Sequence, residues 1–413
     1  MIDIDNMLIT DILGKAHVIG KKPAEKDCVK KLMDIVQFMS NGTPKSKSPQ
    51  QLPQMSYKIF DSQNVSIDKS TSTSNSKLRP DVAFVFNNET EATFGNLYLL
   101  SFFCFNFITI PILNMSLKDT VVFITGGSRG IGEAIAVRLA KEGASIAIAA
   151  KTADTNSKLP GTIHTAAKAI EAAGGKALAL QCDIRDEEQV QRAIDQTVAT
   201  FGHLDVVINN ASAIFLESTE QTPAKRYDLM HNINGRGTWL VTKLALPHLK
   251  KSRNPRVLTL SPPLDMSPKW FEKTPAYTMA KYNMSMLVVG HAGEFAKHGI
   301  AVNALWPYTV IETAALNMIS QSKSKPNLRT PEIMADAALE LLSKPATFTG
   351  NLCIDEVVLR EAGVRDMARY ALTPGTRDED MELDGFLGEA DHARVAMLRK
   401  MHKSDTAAAR AKL

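Results

Sequence analysis

The 413-residue chain has only four cysteines, Cys28, Cys104, Cys182 and Cys353, and no two of them form a CxxC pair. That scarcity argues against both a zinc cluster and a disulfide framework, and it fits a reducing compartment. An excess of charge of one sign is equally lacking, since 48 basic against 44 acidic side chains leave a net charge of +4. So even a balance carries no footprint for a phosphate backbone, and nucleic acid is not expected as a partner. Long apolar runs are few. The most apolar stretch, Leu97 to Leu113, covers 17 residues and is interrupted by Asn106 and Pro111, which puts it at the lower limit for crossing a ~30 Å hydrocarbon layer. Membrane contact through it stays open. No N-terminal address is legible either, because Asp3, Asp5 and Asp11 stand where a secretory or mitochondrial signal is basic or free of acids.

What is present is ordinary in bulk: 44% hydrophobic and 22% charged residues match a soluble globular protein. The average conceals a break near residue 115. Residues 1–114 hold 12 basic side chains, all at or before Arg79. Between Arg79 and Lys118 lie eight of the chain's 26 aromatic residues. Pro23 to Gly42 has Val29, Leu32, Met33, Val36 and Met39 at helical spacing and predicts a short amphipathic helix. Thr43 to Pro80, with its STSTSNS run, predicts a solvated linker. Residues 1–114 are therefore expected to form a poorly structured extension without chemistry of its own. Met115 stands ten residues before a glycine-rich turn that begins at Thr125.

From Met115 onward, strands and helices alternate. Thr120 to Ile124, Ser145 to Ala149, Ala177 to Gln181, Asp205 to Ile208, Arg256 to Leu260, Ile300 to Leu305 and Asn351 to Val358 are apolar strand candidates. Near-continuous apolar strands joined by long crossovers predict a Rossmann-type α/β fold, a doubly wound parallel sheet with helices on both faces. Ligands of such folds bind at the carboxyl ends of the strands, where the two halves diverge.

The turn after the first strand reads Thr125-Gly126-Gly127-Ser128-Arg129-Gly130-Ile131-Gly132. Small residues there let the backbone approach a pyrophosphate and aim helix N–H groups at it. Alone, the same turn also suits a structural bend without an anion. A dinucleotide fold usually puts an acid at the end of the second strand to grip the ribose hydroxyls, but here the residues are Ala149, Ala150 and Lys151. Lys151 with Arg129 can pair with a 2′-phosphate, which favours NADP(H) over NAD(H). The other reading makes both cations solvated surface residues.

Tyr277 and Lys281 are four residues apart and share one face if helical. A phenol with a pKa near ~10 is a poor base at neutral pH, and a neighbouring ammonium together with a nicotinamide cation is expected to lower it by about two units. A packing aromatic beside a solvated lysine is the plainer alternative.

Taken together, TGGSRGIG at 125 to 132, Asn209-Asn210-Ala211, Asn234 in Asn-Gly-Arg-Gly-Thr and Tyr277-x-x-x-Lys281 resemble the short-chain dehydrogenase/reductase family over about residues 115–375. IAAKTAD at 148 to 154 and VNALWP at 302 to 307 are similar to a hydroxysteroid dehydrogenase-like branch of it. The resemblance implies Tyr277 as general acid/base, Lys281 as the group that lowers its pKa and holds the nicotinamide ribose, and Asn234 as support for a proton-relay water. It also implies that Asp183 contacts adenine and Asn210 lines the cofactor groove. The serine is displaced: Ser261 lies 16 residues before Tyr277, further than the family spacing, and the usual position aligns with Pro262. Ser212 and Tyr308 stand where glycine is common in the family. Met266, Trp270 and Phe271 precede Tyr277 and suit an apolar substrate, and Thr309 to Asn327 is a lid candidate.

The expected activity is therefore NADP(H)-dependent interconversion of a secondary alcohol and a carbonyl on an apolar, lipid or steroid-like molecule, by a homo-oligomer and without a metal. The alternative is a nicotinamide-binding sensor or scaffold with little turnover. Residues 376–413 form a C-terminal tail, too short for the sterol-carrier domain of the similar branch. They close on Ala411-Lys412-Leu413, a small-basic-leucine variant of the peroxisomal tripeptide, so a peroxisomal or else cytoplasmic location is expected, with the mitochondrion behind.

Overall fold

A computed structural model of the chain describes residues 117–154, 160–320 and 327–410. The expected helix Pro23 to Gly42, the linker Thr43 to Pro80, the apolar run Leu97 to Leu113, Met115 and the tripeptide Ala411-Lys412-Leu413 lie outside the described residues. Among those described, no helix is long and apolar enough to cross a membrane.

Seven parallel strands form one sheet in the order β3-β2-β1-β4-β5-β6-β7. They are β1 (Val121–Thr125), β2 (Ser145–Ala150), β3 (Lys176–Gln181), β4 (Val206–Asn209), β5 (Arg256–Leu260), β6 (Ala301–Trp306) and β7 (Leu352–Ile354). Period-two alternation decides what each side chain meets. Val122 and Ile124 of β1 pack with Ile135 and Leu139 of α1 (Gly130–Lys141) and with Ile333 and Leu341 of α8 (Glu332–Ser343). Val121 and Phe123 point the other way, to Val190 and Ile194 of α3 (Glu187–Phe201), Leu240 of α5 (Thr238–Leu249) and Val288 of α6 (Pro275–Phe295). Each fully buried Ile of this kind contributes about 2 kcal/mol relative to exposure. Two covered faces explain why the strands read as unbroken apolar runs.

Local signals set the helix ends. Thr162 and Thr165 cap each other reciprocally at the start of α2 (Ile163–Ala172). Asp186 accepts from Gln189 N at 3.0 Å to open α3, and Gly202 closes it in the left-handed region at φ 89°. After α4 (Ala224–His231), Asn232–Gly237 forms a π-helical turn that runs directly into α5.

The strand expected over Asn351 to Val358 stops at Ile354, and α9 (Asp355–Glu361) begins there. Asp355 causes the change, because its Oδ1 accepts from its own neighbour Glu356 N at 2.6 Å and from Tyr308 N at 2.8 Å. An acid satisfied by the first helical N–H ends the strand by offering the backbone a better partner.

Beyond residue 375 the chain returns to the carboxyl edge of the sheet. Leu383 bridges Thr309 in antiparallel fashion, and α10 (Glu389–Arg410) lays Val395 and Leu398 on Trp306, Tyr308, Ile354 and Val357. Buried charges fasten it: Arg399 meets Glu356 at 2.7 and 2.8 Å, while Arg329 and Arg360 reach Asp378 at 2.9 and 2.7 Å. Removing one member of such a set leaves an unpaired buried charge, which is strongly destabilising.

Candidate active site

β1 lies between β2 and β4, so the connections on its two sides diverge at its carboxyl end. The glycine turn occupies this switch point. Gly126 has φ +65°, and a Cβ there would stand 2.8 Å from Ala211 Cα; one on Gly132 would stand 2.4 Å from Asn210 Nδ2. No side chain fits either place. Asn210 Nδ2 donates to the carbonyls of Thr125 at 2.9 Å and Gly126 at 3.0 Å, and Thr125 Oγ1 accepts from Asn210 N and Ala211 N. Asn210 therefore stitches the turn to the end of β4.

α1 then begins at Gly130 with its N-cap residue Arg129 extended and giving no side-chain cap. Among the described residues no side chain of the N-cap takes up its first N–H groups, as suits a bound pyrophosphate. Gly127, Ile131 and the buried Ser128 complete the cradle. These features fit a dinucleotide, with the turn and the α1 terminus holding its phosphates.

The two cations assigned to a 2′-phosphate both border the end of β2, and each has a protein partner. Arg129 donates from Nε to Pro160 O at 3.0 Å and from Nη2 to Gly161 O at 2.5 Å. Lys151, 59% exposed, lies 3.2 Å from Asp183 Oδ2. Asp183 is gripped by Arg185 through Nε and Nη2, and the guanidinium holds its carboxyl well below the usual carboxylate range. Arg185 thus neutralises the acid nearest Lys151, a role that the Asp-x-Arg spacing alone does not announce.

α6 carries Tyr277 and Lys281, and it fastens the loop after β5 at four points. Lys281 Nζ donates to Leu260 O at 2.6 Å, Ser285 Oγ to Pro262 O at 2.6 Å, Tyr282 OH to Asp265 O at 2.9 Å and Thr278 Oγ1 to Trp270 O at 2.7 Å. Ser261, between two of these anchors, is fully buried and its hydroxyl has no hydrogen-bond partner among the described residues. A buried hydroxyl left open beside the lysine fits a group that meets a substrate oxygen.

Asn234 sits in the π-helical turn, fully buried. It donates to Ala213 O at 3.0 Å and accepts from Ala213 N at 2.8 Å and Ser212 Oγ at 3.2 Å. Its side chain thus holds the chain leaving β4, and Ser212 joins that contact. The turn's extra residue also brings Gly235 against Asn283 of α6, where a Cβ would meet the side chain at 2.7 Å.

Burial lifts the Tyr277 phenol above the ordinary tyrosine range, and the charge of Asp384 adds to it. Burial also brings Lys281 down to about 7, against the opposing pull of Asp384. Desolvation therefore outweighs the lowering of Tyr277 expected from Lys281.

Three site residues escaped the sequence reading: Trp306, Asp384 and Phe386. The Phe386 ring lies 5.9 Å from Tyr277, 6.0 Å from Trp270, 6.2 Å from Tyr282 and 5.9 Å from Trp306. It leaves Tyr277 only 6% exposed. The signal available was Phe386-Leu387, an apolar pair between the acidic stretches Asp378 to Asp384 and Glu389 to Asp391. Of the other expected pocket residues, Phe271 packs edge-on against Tyr282 at 5.4 Å, and Met266 is exposed. Tyr308 is buried with its hydroxyl 3.0 Å from His392 Nδ1. Of the lid candidate, residues 309–320 and 327 are described; they include α7 (Ala314–Ser320), and Thr313 stands beside Gly130.

Residues 120–324 match the short chain dehydrogenase family. Hydroxysteroid dehydrogenase-like protein 2 of Danio rerio is 55% identical over 259 residues, covering 63% of this chain and 62% of that protein. The same-named protein of Xenopus tropicalis is 51% identical over 284 residues, 69% of this chain and 67% of that protein. The chain thus spans about two thirds of the length of these curated relatives. A crystal structure of a protein described as a dehydrogenase from Xanthomonas campestris is 50% identical with a TM-score of 0.64, covering 67% of this chain and all of that one. The parallel sheet, the glycine turn and the buried tyrosine–lysine pair agree with this likeness, and the chain belongs to the short-chain dehydrogenase/reductase family of nicotinamide-dependent oxidoreductases.

Proposed function

We propose that the protein interconverts a secondary alcohol and a carbonyl on an apolar, lipid or steroid-like substrate with NADP(H). The observation that carries this reading is the buried pair on α6, Tyr277 and Lys281, anchored to the β5 exit beside the open hydroxyl of Ser261. When bound, the nicotinamide supplies or accepts the hydride.

The chain's own residues handle the oxygen and the proton. Ser261 Oγ–H orients the carbonyl oxygen, and neutral Tyr277 donates its proton to that oxygen in reduction and takes it back in oxidation. Lys281 holds the ribose hydroxyls and stabilises the phenolate left behind. The backbone around Asn234 supports the water that refills the proton. The aromatic walls Trp270, Phe271, Tyr282 and Phe386 exclude water and favour an apolar substrate. Lys151 and Arg129 support the choice of the phosphorylated dinucleotide, since neither is an acid that would repel it.

Stopped-flow oxidation of NADPH across a panel of lipid and steroid carbonyls tests the reading. Turnover that disappears in Y277F while NADPH still binds is the expected result; NADPH binding without turnover of any carbonyl would replace it with the sensor or scaffold reading, which the covering of Tyr277 by Phe386 favours. We also read the chain as a homo-oligomer, supported by the exposed Trp239, Met279, Met286 and Val289 on α5 and α6. Light scattering that returns a monomer mass would reject it.

A further inference from the structure

We propose that Asp384 is a positioning residue of the reacting pair: from the C-terminal segment it fixes the indole of Trp306 against Lys281 and supports the lysine's charge. The inference rests on the reading of Lys281 as the cation beside Tyr277.

The segment is held before its side chains act. Asp384 N donates to Tyr308 O at 3.1 Å, next to the bridge between Thr309 and Leu383. Asp384 Oδ1 then accepts from Trp306 Nε1 at 2.7 Å and from Phe386 N at 2.9 Å. Two donors on one oxygen set both the carboxylate and the indole plane. One face of that indole looks at Lys281, whose Nζ is 4.8 Å from the ring centroid.

A cation over an indole face is attracted by the ring's negative quadrupole, more strongly where water is excluded. A carboxylate on the indole N–H polarises the ring in the same sense, because chained polar contacts reinforce one another. Asp384 therefore acts on Lys281 through Trp306 as well as directly.

The other groups facing Lys281 cannot supply this charge. Its own helix offers the Tyr277 phenol and Met284 Sδ, at 3.5 Å from Nζ; the β5 exit offers the Leu260 carbonyl and the neutral Ser261. Tyr308, just past β6, is engaged with His392 and the Arg399 guanidinium. Asp384 is the acid whose charge acts on both Tyr277 and Lys281. Burial works against both charges, lowering Lys281 to about 7 and raising the Asp384 carboxyl, and each is opposed in this by the charge of the other.

The plainer view makes Asp384 only an anchor for the segment. D384N separates the two, since the amide oxygen still accepts from Trp306 and Phe386 while the charge is gone. With Trp239 and Trp270 changed to Phe, Trp306 is the sole remaining indole of the three. Its emission is titrated in the full chain from acid to alkaline pH, without cofactor or substrate. A step that vanishes in K281M belongs to the lysine.

The expected result is that D384N moves this step to lower pH by about one unit, a tenfold loss of proton affinity. F386L, which loosens the same segment but keeps the carboxylate, leaves the step in place. A step unmoved by D384N, one moved equally by F386L, or one that survives K281M would overturn the proposal. Because no turnover is needed, an inactive protein would defeat the proposed reaction without touching this result.

Discussion

The ammonium of Lys281 donates to the carbonyl oxygen of Leu260 at 2.6 Å, tying α6 to the residue that precedes Ser261. One contact thereby places the cation, the open hydroxyl and the loop that carries Trp270 in a common frame. Consequences follow for both members of the pair and for the serine.

Y277F is expected to lower kcat for carbonyl reduction by ~10²–10⁴-fold with NADPH affinity unchanged, measured by steady-state kinetics and fluorescence titration. S261A is expected to lower kcat by ~10²-fold. A loss below threefold would remove Ser261 from the oxygen-binding role and leave it as a packed strand-end residue.

In the proposed reaction, carbonyl reduction needs neutral Tyr277 and charged Lys281. Burial raises the phenol, so Tyr277 stays protonated through the neutral range, while Lys281 loses its proton as pH rises through about 7. kcat/KM for reduction should therefore be level on the acid side and fall on the alkaline side of neutrality. A profile rising from pH 6 to 9 would contradict this ordering.

Among the described residues the ion partner of Lys151 is Asp183, and Arg185 already holds that acid. K151D should weaken NADP(H) binding at least ~10-fold, the loss of one charge-assisted contact of ~1.5–3 kcal/mol, and should improve NAD(H) binding. Calorimetric titration with both dinucleotides checks it. An unchanged NADP affinity would return Lys151 to the solvated surface.

Phe386 covers Tyr277 with the edge-to-face contact at 5.9 Å. F386A is expected to raise kcat/KM for bulky ring ketones relative to small ones. Thermal stability should fall by less than the ~3–5 kcal/mol of a fully buried Phe. Loss of activity on every substrate would mean that the ring is needed to exclude water.

Asp355 is buried, and burial pushes its carboxyl up to about 7. A raised folded-state pKa means stability that is full below the unfolded value near ~3.9 and is lost as pH rises through about 7. The melting temperature should decline from pH 5 to pH 8, and D355N should flatten that decline. A parallel curve for D355N would place the slope elsewhere.

Much of this architecture is legible in the chain itself because burial on two faces writes itself as β-branched runs. Arg256 to Leu260 appears in the structure with the bounds its composition predicts. Asn351 to Val358 does not, because a single acid, Asp355, meets two backbone N–H groups that no periodicity records. Within the site, Gly126, Asn210, Tyr277 and Lys281 could be found because each answers a local demand of a strand end or a helix face. Trp306, Asp384 and Phe386 could not: they meet only through a return of the chain that depends on the Arg399–Glu356 contact and the Leu383 bridge.

That return separates two events in the life of the polypeptide. A chain that has emerged only as far as Gly375 already possesses every strand of the sheet, the phosphate cradle and Tyr277, yet has neither Asp384 nor Phe386. Domains begin to organise from the amino-terminal side while synthesis continues. The aromatic cover over Tyr277 is thus completed by a stretch made after every strand of the sheet, and the same stretch brings Asp378 and Arg399 to the buried Arg329, Arg360 and Glu356, so closing the site and neutralising the core are one event.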